Sequence, residues 1–203
     1  ELIQVITSAI ARPGACVLAP DPTFVMYRIY AMQAHVRYAS VPLHADFTLD
    51  VEALVAEIAR QKPALVWLAS PNNPTGRAIP AAAIERVLAA APGLVVVDEA
   101  YADFAGTTLV PRVLEFPNLV VMRTLSKVGL AGARLGYAVA HPAWIGELDK
   151  VRSPYNVNAL TQAVVPVILG AADAMAAQVA AIRAERGRLA SALGAFPGFA
   201  VSP

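Results

Sequence analysis

The chain has 203 residues, 57% of them apolar and 15% charged, and a formal net charge of +1. This balance gives no electrostatic reason to expect nucleic acid or an anionic membrane as a partner, and the length suffices for one core or for one domain and part of another. His35, His44 and His141 lack metal-ligand spacing, and the lone Cys16 excludes a disulfide framework and points to a reducing cytoplasm.

Leu2, Ile3, Ile6 and Ile10 mark one face of a first helix, without the basic start of a signal peptide, and Pro13-Gly14 stop it. Ala15–Ala19 reads as a buried strand, Pro22 to about Ala34 as a helix, and Val36–Val41 as a strand. Val51, Leu54, Val55 and Ile58 carry the helical i, i+3, i+4, i+7 pattern behind Asp50, a residue suited to cap it. Strands are expected at Ala64–Ala69, Gly93–Val97, Leu119–Arg123 and Arg134–Ala140, with a helix over Pro80–Ala91. Helices follow at Pro142–Arg152 and Ala159–Leu169. A last one, about Ala172–Phe196, carries Met175, Val179, Ile182, Leu189, Leu193 and Phe196 on one stripe. The weakly charged run Asn158–Ile182 contains Pro166 and Gly170, so two helices broken near Gly170 are expected rather than one membrane span. Strands alternating with helices imply α/β architecture, with a mostly parallel sheet covered on both faces. Ligands of such sheets bind beyond the carboxyl ends of the strands.

Three unusual segments fall at strand ends. Ser70-Pro71-Asn72-Asn73-Pro74-Thr75-Gly76 is an ordinary rigid turn or a turn whose asparagine amide meets a ligand. Asp98-Glu99-Ala100-Tyr101 follows a wholly apolar strand, so its carboxylate needs a partner. That partner is the next turn or a pyridinium nitrogen, unless the segment is the Walker-B-like strand of a phosphate-binding ATPase; no Gly-x-x-x-x-Gly-Lys-Ser/Thr accompanies the last reading. Arg123-Thr124-Leu125-Ser126-Lys127 runs on through Gly129 and Gly132 to Arg134. It is a solvated polar loop, or a set of phosphate ligands around an amine able to form an imine.

Together, in this order, the three segments resemble the fold-type I, class I/II aminotransferases. Asp21-Pro22-Thr23-Phe24-Val25-Met26-Tyr27-Arg28 and Arg152-Ser153-Pro154-Tyr155-Asn156-Val157-Asn158 are similar to the branch that acts on histidinol phosphate. The resemblance implies a three-layer αβα large domain over residues 1–170. Residues 171–203 would form a linking helix and the start of a small C-terminal domain, whose sheet would begin at Phe199–Val201. It implies pyridoxal 5′-phosphate as cofactor, a small-molecule amino donor, a keto acid acceptor and a homodimer. The expected reaction exchanges the amino group between L-histidinol phosphate, or imidazole acetol phosphate, and the glutamate/2-oxoglutarate pair. An aromatic amino acid substrate, or a decarboxylation like that of threonine phosphate, would use the same fold.

The same resemblance implies the roles. Lys127 would hold the cofactor covalently and carry the proton between substrate Cα and cofactor C4′. Asp98 would face the ring nitrogen, Asn73 and Tyr101 the phenolic oxygen, and Phe24 the ring face. Thr124, Ser126 and Arg134 would hold the phosphate, helped by a glycine-rich turn ahead of the residues matching Glu1–Ile3. A tyrosine on an N-terminal arm and an arginine of the small domain would complete the pocket; neither segment is among the 203 residues. Lys127 and Arg134 are seven residues apart, one fewer than in the aspartate aminotransferase branch, so their loop has to run tighter.

Overall fold

The computed structural model describes residues 1–201. Six strands form one sheet: β1 (Cys16–Asp21), β2 (Arg37–Pro42), β3 (Leu65–Ala69), β4 (Leu94–Asp98), β5 (Leu119–Thr124) and β6 (Gly136–Ala140). Their order is β2-β1-β3-β4-β5-β6, with every neighbouring pair parallel except β5 and β6. Helix α1 (Leu2–Ile10) precedes the first strand, and between the strands lie α2 (Met26–Gln33), α3 (Val51–Gln61), α4 (Ala81–Ala90) and the short α5 (Ala102–Ala105). After β6 come α6 (Pro142–Val151), α7 (Ala159–Leu169) and α8 (Ala172–Gly194).

The central strands are apolar throughout because both faces of the sheet are covered. Alternation along each strand divides the core in two. Val17, Leu65, Trp67, Val96 and Val120 face Ile6 of α1, Tyr27 of α2 and Leu148 of α6. Leu18, Val66, Leu68, Val95 and Val121 face Leu54 and Ile58 of α3 and Ile84, Val87 and Leu88 of α4. Trp67, Leu65, Val66 and Leu68 have no exposed surface. Each such aliphatic side chain contributes roughly 1.5–3 kcal/mol on leaving water, which makes β3 the anchor of both layers. Asp50 caps α3 as expected, accepting from Ala53 N at 2.9 Å.

Most strands and helices shift by a residue or two at their ends, and some departures from expectation have a visible cause. Helix α2 begins at Met26 rather than Pro22, because Pro22 and Thr23 are tied by hydrogen bonds to Asn72 across the sheet edge and are not free to coil. Strand β6 begins at Gly136 rather than Arg134, whose φ of 51° lies outside the strand region. The last helix ends at Gly194 rather than Phe196. Phe199–Val201 is not a strand, since no described segment lies beside it to accept its hydrogen bonds. The break after α7 falls at Gly170 as expected. No single described helix is long and apolar enough to cross a membrane, and α7 and α8 meet at 81°.

Two glycine sites make opposite predictions. A β-carbon on Gly93 would stand 2.3 Å from Ala64 O and 2.6 Å from Ala64 C, in paired backbone that cannot retreat. Gly187 in α8 has open space around it. Gly93→Ala is expected to lower stability by about 3 kcal/mol, and Gly187→Ala to raise it by about 0.5–1 kcal/mol. The urea unfolding midpoints of the two variants against the parent check both.

Candidate active site

From β1 the chain crosses by α2 to β2 on one side, whereas β3 lies on the other side of β1. The loops leaving β1 and β3 diverge there and open a crevice at the carboxyl edge of the sheet. Asn72 closes its floor. Its Nδ2 donates to Pro22 O at 3.0 Å and to Thr75 Oγ1 at 3.0 Å, and its Oδ1 accepts from Thr23 Oγ1 at 2.8 Å. One buried amide thus locks the loop after β1 to the turn after β3. The next residue, Asn73, is half-buried and its side chain makes no hydrogen bond among the described residues. Sequence reasoning chose Asn73; the clamp made by Asn72 carries no local signal, because the loop it holds, at Pro22 and Thr23, lies about fifty residues upstream.

Alternation along β4 divides the acidic pair at its end. Asp98 shares a face with Val96 and is 7% exposed. Its Oδ2 accepts from the hydroxyl of Tyr27 at 2.7 Å, and its Oδ1 from Ala100 N at 3.0 Å. Burial pushes the Asp98 carboxyl up from its ordinary range and the charge of Glu99 adds to this; the two hydrogen bonds and the charge of Lys127 oppose it without cancelling it. Glu99 turns the other way. It accepts from Thr108 Oγ1 at 2.5 Å and Leu109 N at 2.6 Å, with Arg123 Nε at 3.8 Å. It is therefore committed to holding the loop before β5, whereas Asp98 keeps acceptor capacity at the sheet edge.

Lys127 stands on the connection between β5 and β6. The loop accommodates its short length through Gly129 at φ 93° and Arg134 at φ 51°, with Leu125 N bonded to Leu135 O at 3.0 Å across its neck. Positive φ is cheap for the glycine and rare for the arginine. Lys127 Nζ lies 5.3 Å from the centre of the Tyr101 ring, within cation–π range. Thr124 Oγ1 accepts from Ser126 N at 3.1 Å and donates to Leu135 O at 3.2 Å. Arg134 is exposed, its guanidinium on Ala131 O of its own loop at 3.2 Å. The start of α1 abuts this loop: Leu2 Cδ1 would lie 3.5 Å from a β-carbon on Gly136.

Phe24 is half-buried and meets Tyr27 edge-on at 5.7 Å. Of the eight residues singled out from sequence, Phe24, Asp98, Tyr101 and Lys127 are linked at this edge through direct contacts, through Tyr27, or through the charge of Lys127 acting on Asp98, whereas Thr124 and Ser126 bond to each other on the lysine loop. Asn73 and Arg134 share no hydrogen bond with the other six among the described residues. Besides Asn72, sequence reasoning gave no part to Tyr27 as the partner of Asp98; its place in the segment similar to the histidinol-phosphate branch was the one available hint.

The family model for aminotransferase class I and II matches residues 1–203. Histidinol-phosphate aminotransferase 1 of Burkholderia lata is 54% identical over 204 residues, and the alignment covers 100% of this chain and 57% of that protein. Histidinol-phosphate aminotransferase of Chromobacterium violaceum is 53% identical, with coverage of 100% and 57%. The crystal structure of histidinol-phosphate aminotransferase from Sinorhizobium meliloti in complex with pyridoxal-5′-phosphate superposes with a TM-score of 0.85 at 30% identity, covering 96% of this chain and 54% of that one. The chain thus spans little more than half the length of the relatives it matches. With the mostly parallel sheet, the crevice at its carboxyl edge and the lysine loop beside the buried aspartate, the chain belongs to the class I and II aminotransferases.

Proposed function

We propose that the chain is the cofactor-binding part of a pyridoxal 5′-phosphate-dependent transaminase. Its substrates would be L-histidinol phosphate, or its keto form imidazole acetol phosphate, and the glutamate/2-oxoglutarate pair. The observation that carries this reading is the buried Asp98 carboxylate at the end of an apolar strand, with the charge of Lys127 acting on it. The substrate assignment is supported by the relatives' names at 54% and 53% identity. Homodimerisation and a cytoplasmic location complete the proposal. Residues 1–170 would be the cofactor-binding unit and residues 171–203 the link to a second domain, in keeping with α8, which buries none of its residues.

The donor set fits the cofactor. Asp98 uses two of its acceptor positions within the chain and has others to offer a protonated ring nitrogen. The side-chain amide of Asn73 is uncommitted among the described residues, and the Tyr101 hydroxyl belongs to the ring beside Lys127. Thr124, Ser126 and Arg134 supply hydroxyls and a guanidinium, and the first turn of α1, close by, presents N–H groups unspent within the helix. When bound, the cofactor supplies an electron-poor ring that accepts the electron pair of a breaking bond at substrate Cα. Lys127 would anchor it through Nζ and, once released, carry the proton to and from Cα. Asp98 would hold the ring nitrogen protonated, Asn73 and Tyr101 would orient the phenolic oxygen, and Phe24 would cover one ring face.

Two measurements test this. Full-length protein loaded with pyridoxal 5′-phosphate and reduced with borohydride is expected to retain the cofactor covalently, and Lys127→Ala to retain none; retention by the variant would refute the lysine assignment. In a single turnover, histidinol phosphate is expected to convert the bound cofactor to its pyridoxamine form, and absence of conversion would discard that substrate while keeping the cofactor.

A second prediction concerns pH. Because burial raises the Asp98 carboxyl, the cofactor-free folded state binds that proton more tightly than the unfolded state does. Its contribution to stability therefore grows as pH falls through the window above the usual carboxylate range and is lost as pH rises. Cofactor-free Asp98→Asn is expected to exceed the parent in stability at neutral pH, the gap narrowing as pH is lowered. Urea unfolding over a pH series reads it.

A further inference from the structure

We infer that Tyr27 is a positioning residue of this site, its hydroxyl fixing the direction of the Asp98 carboxylate and compensating its burial so that the free acceptor positions face the cofactor; the inference rests on the cofactor reading proposed above. Tyr27 has no exposed surface, and its ring lies flat on Trp67, with centres 4.6 Å apart and planes 3° from parallel. Phe24 closes the other approach edge-on. Trp67 and Asp98 point to the same face of neighbouring strands, and the strand partner of Asp98 is Ala69, whose methyl group leaves room for the phenol to reach across. Held by the indole, the ring has no second place to put its hydroxyl.

A phenylalanine would fill this core position equally well, so packing alone does not account for the oxygen. Its one side-chain partner is Asp98 Oδ2 at 2.7 Å. Burial, and then the negative charge of Asp98, push the Tyr27 hydroxyl well above its ordinary range, so it stays a donor at every working pH. The charged groups acting on Asp98 are Glu99, which opposes its ionisation, and Lys127, which favours it. Lys127 loses that influence whenever its nitrogen is engaged elsewhere. Tyr27 then remains, with the Ala100 N–H, as a constant source of stabilisation for the ionised form.

The test is a double-mutant cycle on the full-length protein, read as the affinity of the cofactor-free form for pyridoxal 5′-phosphate. Tyr27→Phe keeps the ring and removes only the hydroxyl, and its thermal midpoint reports whether the core has survived. We expect it to weaken binding by about tenfold, Asp98→Asn to weaken it more, and Tyr27→Phe to add less than about twofold in the Asp98→Asn background. The acid-range loss of affinity in Tyr27→Phe should also set in at higher pH than in the parent, because the hydroxyl that opposes the rise of the Asp98 carboxyl is gone. Unchanged affinity in Tyr27→Phe, or equal losses in both backgrounds, would show that the hydroxyl does not act through Asp98. A parent protein that binds no pyridoxal 5′-phosphate would overturn the functional reading, and this inference with it.

Discussion

A carboxylate is held ionisable where an apolar strand runs out, and much of the site is arranged around that fact. Burying Asp98 is costly in itself, since the charged form leaves water for a layer of valines and aromatic rings. The chain offsets the cost in three ways: a phenol from α2, a backbone N–H from the turn that follows, and the positive charge of a lysine in the loop after the neighbouring strand β5. The offset is incomplete, as the direction of the shift shows.

The other acid of the pair shows why geometry decides role. Glu99 is more deeply buried than Asp98, and it too ends an apolar strand. Turned to the opposite face, it meets Thr108, Leu109 and Arg123, and its oxygens are taken up in holding a loop. An acidic pair that on paper suits metal or nucleotide chemistry is divided by the alternation of β4 into one group that keeps acceptor capacity at the sheet edge and one whose oxygens hold a loop. No cluster of three potential metal ligands occurs among the described residues.

The lock at the crevice belongs to the same economy of parts. Asn72 joins two loops that leave the sheet in opposite directions, and so holds Phe24 and Asn73 in fixed relation although neither bonds to the other. The lysine loop is shaped in a different way. Its neck is closed by the Leu125–Leu135 hydrogen bond and the Thr124 hydroxyl, and its turn is taken by backbone conformations open to glycine and tolerated by Arg134. Helix α8, by contrast, rests on this loop and on α5 while keeping Ile182 and Leu189 about half exposed.

The amino-acid sequence by itself determined the layer architecture, the strand ends and the order of the three segments, because apolar periodicity and turn chemistry are local properties. Lys127, Asp98, Asn73 and Tyr101 were singled out because the three strand-end segments, taken together, resemble a known family; polarity after an apolar strand left a structural alternative open for each, and Glu99 takes that alternative. What only the tertiary structure decided was pairing at long range. The antiparallel direction of β6, the late start of α2, the roles of Asn72 and Tyr27, and the division of labour between Asp98 and Glu99 all depend on contacts between segments far apart in the chain. Hydrogen bonds from a side chain to a partner fifty or seventy residues away leave no periodic trace, and burial becomes visible only once the sheet has brought both ends together.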